Sequence, residues 1–270
     1  MTYLSKLTAQ VRLAGFDRLI AGALIIWVLA MISLPIARWI YGDGALPWGI
    51  SLGVLLQVIA VLVTLLHSWG WRRTLITVTV AISAAWLVEY IGHTTGFPFG
   101  GYDYTDRLQP QLGGVPLLIP LAWMMMLPPA WAVASRLTRA FGLRGRVSLA
   151  LAAALAFTAW DLFLDPQMVA WGLWVWDDPG AFNYFGIPWV NYGGWLLASA
   201  LITLLASAFG DLRALPITPL LVIYGITWAL QTIGQLFFWD LPGPALVGGV
   251  VMGALLLAAV RLSPRERRAT

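Results

Sequence analysis

Eight apolar stretches, separated by segments in which acids and bases are sorted to opposite ends, dominate this chain. A bilayer core takes about 20 predominantly apolar residues per helix. The stretches 19–40, 47–66, 75–92, 116–137, 147–164, 187–209, 215–239 and 242–260 all come near that length. With 60% hydrophobic and 10% charged residues, the chain has too little polar surface to coat a water-soluble globule. The expected fold is all-α: a polytopic transmembrane helical bundle of about eight spans. It forms a single domain over 1–270 with short tails at 1–18 and 261–270.

Lys and Arg concentrate on the cytoplasmic side of membrane proteins. An even number of spans puts both termini, and all basic residues except Arg38 and Arg107, on one face. That face is predicted to be cytoplasmic, in the cell (inner) membrane. The acids Asp43, Glu89, Asp103, Asp106, Asp161, Asp165, Asp177, Asp178 and Asp240 fall at the other, outer face. The net charge of +4 therefore reflects topology and not a nucleic-acid surface. The run from Arg261 through Arg268 reads as a stop-transfer flank in contact with anionic lipid. The absence of Cys excludes disulfides, thiolate metal sites and cysteine nucleophiles.

Two outer segments, 93–115 and 165–186, are much longer than the inner connections and rich in Gly, Pro and aromatic residues. Loops of that length are usually functional or disordered. Rings such as Phe97, Phe99, Phe182 and Phe185 argue for ordered caps over the bundle. An offset of 72 positions carries Glu89 onto Asp161, Asp106 onto Asp178, Gly114 onto Gly186, Pro116 onto Pro188 and Trp123 onto Trp195 without a gap. This predicts two parallel helix–loop–helix units that place Glu89 and Asp161 equivalently about a shared cavity.

Glu89 and His93, and likewise Asp161 and Asp165, stand at i and i+4 and so share a helix face. Pro166 is expected to end the helix that carries the aspartates. An ionisable group at the centre of a bilayer costs roughly 2.5–3.5 kcal/mol on insertion scales, less near the interface, and normally faces protein interior. Desolvation and a neighbouring carboxylate both favour a neutral acid, so one member of such a cluster can serve as a general acid. An acid in an aromatic pocket suits protonation of an unactivated alkene, with ring faces stabilising the cation and a nearby base assisting water.

The motifs Glu89-Tyr-Ile-Gly, Thr95-Gly-Phe-Pro-Phe-Gly, Tyr102-Asp-Tyr-Thr, Gly114-Val-Pro, Pro120-Leu-Ala-Trp, Asp161-Leu-Phe-Leu-Asp-Pro, Gly172-Leu-Trp-Val-Trp and Tyr184-Phe-Gly-Ile-Pro-Trp-Val-Asn resemble the integral-membrane carotenoid biosynthesis family. Its characterised members are carotenoid 1',2'-hydratases of bacteria and bisanhydrobacterioruberin hydratases of haloarchaea. The resemblance implies addition of water across the terminal 1',2' double bond of an acyclic carotenoid end group to give a tertiary alcohol, a hydro-lyase activity with no cofactor and no metal.

The residue roles follow from the chemistry instead. Asp161 or Asp165 is expected as acid, with Glu89 and His93 positioning and deprotonating water. Tyr102, Tyr104, Trp174, Trp176 and Tyr184 are expected to line the substrate pocket, and Asn191 to orient water. The expected partners are the carotenoid and membrane lipid, with other enzymes of the pathway and further copies of the chain as candidates, and no nucleic acid.

The competing class is a non-enzymatic carotenoid-binding scaffold or a transporter. The acids lie at span ends and not at midplane, which disfavours transport. A retinal photoreceptor in its usual form is excluded because the sole lysine, Lys6, is not within a span. A prenyltransferase would require a diphosphate-binding aspartate cluster on the opposite face. Gly249 and Gly253 form a small-residue packing signal, read first as contact within the bundle and second as a dimer face.

Overall fold

A computed structural model of the chain describes residues 3–210, 212 and 214–262, with side chains from 18 onward. The C-terminal bases Arg265, Arg267 and Arg268, and Arg213, lie outside the described residues. Seven helices carry the fold: α1 (Tyr3–Tyr41), α2 (Ala45–Thr95), α3 (Leu118–Ala140), α4 (Arg146–Ala170), α5 (Trp189–Phe209), α6 (Ile217–Phe237) and α7 (Pro242–Arg261). Helix α1 begins well before position 19, where the first apolar stretch starts.

Among the described residues, six helical stretches are long and apolar enough to cross a membrane, the first taking in α1 and α2 together as Arg18–Thr95. Gly70 interrupts α2 with φ 73° and ψ 169°, a backbone conformation that glycine adopts without a Cβ penalty. Helix α2 therefore consists of two arms, 45–69 and 71–95.

Helix α3 is the axis of the bundle. Trp123, Met124, Met126, Leu127 and Trp131 are all essentially inaccessible, and α2, α4, α6 and α7 pack around it. The periphery turns its apolar side outward. Leu151 and Leu155 of α4, and Leu197, Leu201 and Leu205 of α5, form exposed stripes at one-turn spacing. Polar groups such as Gln57, Thr203, Thr227 and Gln235 are buried instead. Such a surface is suited to lipid.

The all-α expectation holds for the bundle, and short strands organise the two long loops. Strand β1 (Tyr102–Tyr104) pairs antiparallel with β4 (Trp174–Trp176), placing Tyr102 opposite Trp176 and Tyr104 opposite Trp174. Two small hairpins follow, β2 (Gln111–Leu112) with β3 (Val115–Pro116), and β5 (Asn183–Tyr184) with β6 (Ile187–Pro188). The loops therefore cap the bundle as a joined pair. Burial within them is selective: Phe99 and Tyr102 are enclosed, while Phe97, Phe182 and Phe185 remain exposed.

The 72-residue offset is visible throughout this arrangement. It converts β1 into β4 and the first hairpin into the second. The bond from Thr105 N to Leu173 O has its counterpart from Asp177 N to Gly101 O, both 3.0 Å. Equivalent side chains meet below: Trp123 stacks on Trp195 with centroids 4.9 Å apart, and Trp131 Nε1 donates to Thr203 Oγ1 at 2.9 Å. A local two-fold axis thus runs from the loop ladder down between α3 and α5, relating the second arm of α2 and α3 to α4 and α5.

Pro166 does not end its helix, contrary to the sequence expectation, and α4 continues to Ala170. Proline lacks the N–H that would bond to the carbonyl four residues earlier. The vacated acceptor, Leu162 O, receives the Tyr184 hydroxyl at 3.2 Å. Helix α3 repeats the device: Pro129 frees Met125 O, which accepts from Gln57 Nε2 at 3.4 Å. The glycines at 249 and 253 pack within the bundle. Trp228 of α6 donates to Gly249 O at 2.8 Å, and a Cβ on Gly253 would lie 2.9 Å from its Nε1.

Leaving a buried acceptor unpaired costs about 1–3 kcal/mol. Tyr184→Phe should therefore lower the thermal unfolding midpoint of the detergent-solubilised protein. An unchanged midpoint would contradict the bracing of Leu162 O.

Candidate functional site

Under the β1–β4 ladder, α2, α3, α4 and α5 enclose a cavity of about 60 Å³, with carboxyl groups on two sides and rings on the others. At roughly 10–15 Å³ of accessible volume per water, it has room for a few waters or a small apolar group.

Glu89 enters from α2 and is 4% exposed. Its Oε2 accepts from the hydroxyls of Tyr102 at 2.6 Å and Tyr104 at 2.8 Å, and its Oε1 accepts from Trp123 Nε1 at 2.8 Å. The ladder explains the first two contacts. Side chains alternate along a strand, so Tyr102 and Tyr104 point into the bundle while Asp103 between them stays exposed. Burial, reinforced by the Glu89 charge, pushes both phenols well above their ordinary range and keeps them as donors.

The facing wall comes from α4 and α5. Asn191 Nδ2 lies 2.5 Å from Asp165 Oδ2 and 3.1 Å from Asp161 Oδ2, so one amide holds both aspartates. Trp174 Nε1 donates to Asp165 Oδ1 at 3.2 Å. Asp165 faces the cavity, whereas Asp161 sits behind it, fully buried. Asp161 Oδ1 has no hydrogen-bond partner among the described residues. Among those residues, no three His, Asp or Glu side chains converge as a metal-binding group.

The two-fold relation makes the asymmetry of this site informative. Glu89 is the counterpart of Asp161, and His93 the counterpart of Asp165. Where α4 directs a second carboxyl into the cavity, α2 directs an imidazole into the loop. His93 Nδ1 lies 3.4 Å from Tyr102 O and 3.6 Å from Asp103 Oδ1. Its ring packs against Gly114, where a Cβ would come within 2.4 Å of Nε2. Gly114 also has φ +79°, so two constraints select glycine there.

Of the residues singled out from sequence, Glu89, Asp165, Asn191, Tyr102, Tyr104, Trp174 and Trp176 line the cavity, and Asp161 joins through Asn191. His93 and Tyr184 do not line it. Tyr184 braces α4 at Leu162 and packs edge-on against Tyr192, with centroids 5.5 Å apart. Trp123, Trp195 and Phe99 complete the aromatic wall and were not singled out as site residues. The offset that maps Trp123 onto Trp195 is the sequence signal for that pair, which stacks where the two halves meet; Phe99 has no such signal.

The loops are also latched from outside the cavity. The Arg107 guanidinium donates to Trp171 O, and Thr105 Oγ1 donates to Gly172 O at 2.9 Å. These contacts hold the ladder over the carboxyls.

Comparison with known proteins gives two findings. The family described as carotenoid biosynthesis protein matches residues 49–261. The bisanhydrobacterioruberin hydratase of Haloarcula japonica is 35% identical over 130 residues, covering 47% of this chain and 42% of that protein. The chain therefore spans less than half the length of that relative in the matched region. No solved structure matches the chain. The family match covers most of the chain, including every helix that lines the cavity, and on that ground the chain belongs to the carotenoid biosynthesis protein family.

Proposed function

We propose that this protein is a carotenoid hydratase that adds water across the terminal 1',2' double bond of an acyclic end group, giving a tertiary alcohol. The observation that carries the reading is the cavity where Glu89 and Asp165 face one another among the rings of Tyr102, Trp123, Trp174, Trp176 and Trp195. The hydratase relative supports the substrate class.

Two carboxyls sharing one amide in an apolar site repel each other when both are ionised, so the Asp161–Asp165 pair is assigned a shared proton. Asp165 faces the cavity and is the group that delivers it. Proton transfer to the 2' carbon uses the π electrons of the double bond and leaves a tertiary cation at the 1' carbon. Water adds to that carbon through an oxygen lone pair and loses a proton to the aspartate pair, which restores the acid. The net change is one water gained, and no oxidant or reductant is consumed.

Glu89, oriented by three donors, faces the developing positive charge, and the ring faces add cation–π stabilisation. This division leaves His93 as the brace of the loop that delivers Tyr102. No cofactor enters the scheme.

The membrane arrangement belongs to the same proposal. The turn at Gly42–Gly44 and the break at Gly70 divide Arg18–Thr95 into three helical arms, so in this proposal the protein crosses the bilayer eight times as a single transmembrane domain. Arg73, Arg139, Arg144 and Arg146 gather at the end remote from the carboxyls, which supports cytoplasmic termini and an outer active site in the inner membrane. Arg38, one of the two bases assigned to the outer face, pairs with Asp43 at 2.7 Å.

Single cysteines test the orientation in this Cys-free chain. Asp103→Cys should react with an impermeant thiol reagent in cells whose inner membrane is intact, and Phe141→Cys only after that membrane is disrupted. The reverse pattern would contradict the orientation.

Asp165→Asn and Glu89→Gln should each reduce hydration by about 100-fold or more, the usual scale of acid–base catalysis, at matched levels of folded protein. Near-parental turnover in both would remove the carboxyl mechanism. Bound pigment that never gains the mass of water in the parent protein would favour a binding scaffold.

Trp195 tests the ring contribution, since removing a desolvated cation–π contact of about 2 kcal/mol should cost roughly thirtyfold in rate. Trp195→Leu should show that loss and Trp195→Phe should recover much of it. Equal turnover in the two would assign Trp195 to packing.

A further inference from the structure

A second cavity lies directly behind the carboxyl pocket. It occupies about 390 Å³ between α1, the first arm of α2, α4 and α6, within the range typical of small-molecule sites. Five side chains, Ile50, Val54, Met125, Leu164 and Met168, line both cavities. One layer of apolar atoms therefore separates them, and two of its members are methionines, whose unbranched side chains re-pack readily.

Among the described residues, no charged side chain lines the larger cavity. Its amide side chains engage neighbours: Gln57 Nε2 donates to Thr227 Oγ1 at 3.2 Å, and Gln235 Nε2 to Gln167 Oε1 at 2.9 Å and Gln231 Oε1 at 3.3 Å; among the described residues, the indole N–H groups of Trp27 and Trp160 have no hydrogen-bond partner. What remains for a ligand is largely hydrocarbon and ring surface. On the α1 and α6 side the lining residues Ile32, Ile36 and Ile233 are about half exposed on the apolar exterior, so the cavity opens to the lipid-facing surface there. The outer end of that seam is closed by Trp39 against Phe238 and by Arg38 over the Trp239 ring, 5.7 Å from its centroid.

We infer that this cavity is the slot for the long apolar tail of the substrate. The tail enters from lipid through the seam between α1 and α6, and the terminal alkene passes Met125 and Met168 to reach Asp165. The inference rests on the proposed hydration and adds where the non-reacting part of the molecule lies. The occupant is an elongated, uncharged polyene: the slot is continuous with the reacting site, opens to lipid, and offers no counter-charge for a headgroup.

Met31 of α1 and Leu230 of α6 line the slot and stand outside the carboxyl pocket. The test compares two hydrocarbons with the same trisubstituted terminal alkene, lycopene and the much shorter β-farnesene, on the parent protein and on Met31→Trp and Leu230→Trp. Filling the slot should lower kcat/KM for lycopene by about tenfold or more, and for β-farnesene, whose shorter tail fills less of the slot, by a clearly smaller factor. Lycopene retained on the purified protein should fall in parallel. Leu201→Trp, on the exposed face of α5 and outside both cavities, should match the parent.

Unchanged lycopene turnover and retention in both tryptophan variants would overturn the slot and leave the hydratase reading standing. An equal loss on both hydrocarbons would also overturn it, as a packing defect. A parent protein that binds lycopene but hydrates neither compound would overturn the hydratase reading and, with it, this use of the cavity.

Discussion

Three carboxyl groups are buried at one rim of an apolar bundle, and the architecture around them is what makes that tolerable. An unpaired ionised carboxyl in such surroundings is costly enough that it must find donors or give up its charge. Glu89 has three donors, two supplied by a loop strand and one by α3. Asp161 and Asp165 share the amide of Asn191. The ladder between β1 and β4 is therefore more than a cover. Its register decides which rings face inward, and a slip by one residue would turn Tyr102 and Tyr104 away from Glu89.

The local two-fold axis gives the site its plan, and departures from it give the site its chemistry. Equivalent positions deliver Glu89 and Asp161 from opposite sides, and Trp123 and Trp195 stack where the halves meet. The pairing of His93 with Asp165 breaks the symmetry. One half commits its second titratable group to bracing a loop, and the other commits it to the cavity. Two copies of one helix–loop–helix unit thereby form a single pocket with two unlike walls.

Much of this was legible in the sequence because the signals were long or repeated. Span-length apolar runs located the helices, and i, i+4 spacing put Asp161 and Asp165 on one face. The 72-residue offset anticipated the equivalence of the two loops. Short signals were harder to weigh. The alternation in Tyr102-Asp103-Tyr104 and Trp174-Val175-Trp176 has strand period, but three residues do not establish a strand without knowledge of the partner. Pro166 was read by its local effect, the loss of a helical hydrogen bond, while its compensation by Tyr184 is tertiary. The break at Gly70 falls in the connection between the apolar stretches 47–66 and 75–92, whereas the slot behind the carboxyls depends on helix packing, which no single segment encodes.

The central claim is that Asp165 protonates the alkene and that water traps the resulting cation. Incubating the membrane-embedded protein with lycopene in deuterium oxide enriched in heavy oxygen tests both steps in one mass spectrum. The claim predicts a product carrying one non-exchangeable deuterium at the carbon beside the new alcohol, and an alcohol oxygen derived from the labelled water. An alcohol whose oxygen comes from dissolved dioxygen, or a hydrated product without that deuterium, would contradict it.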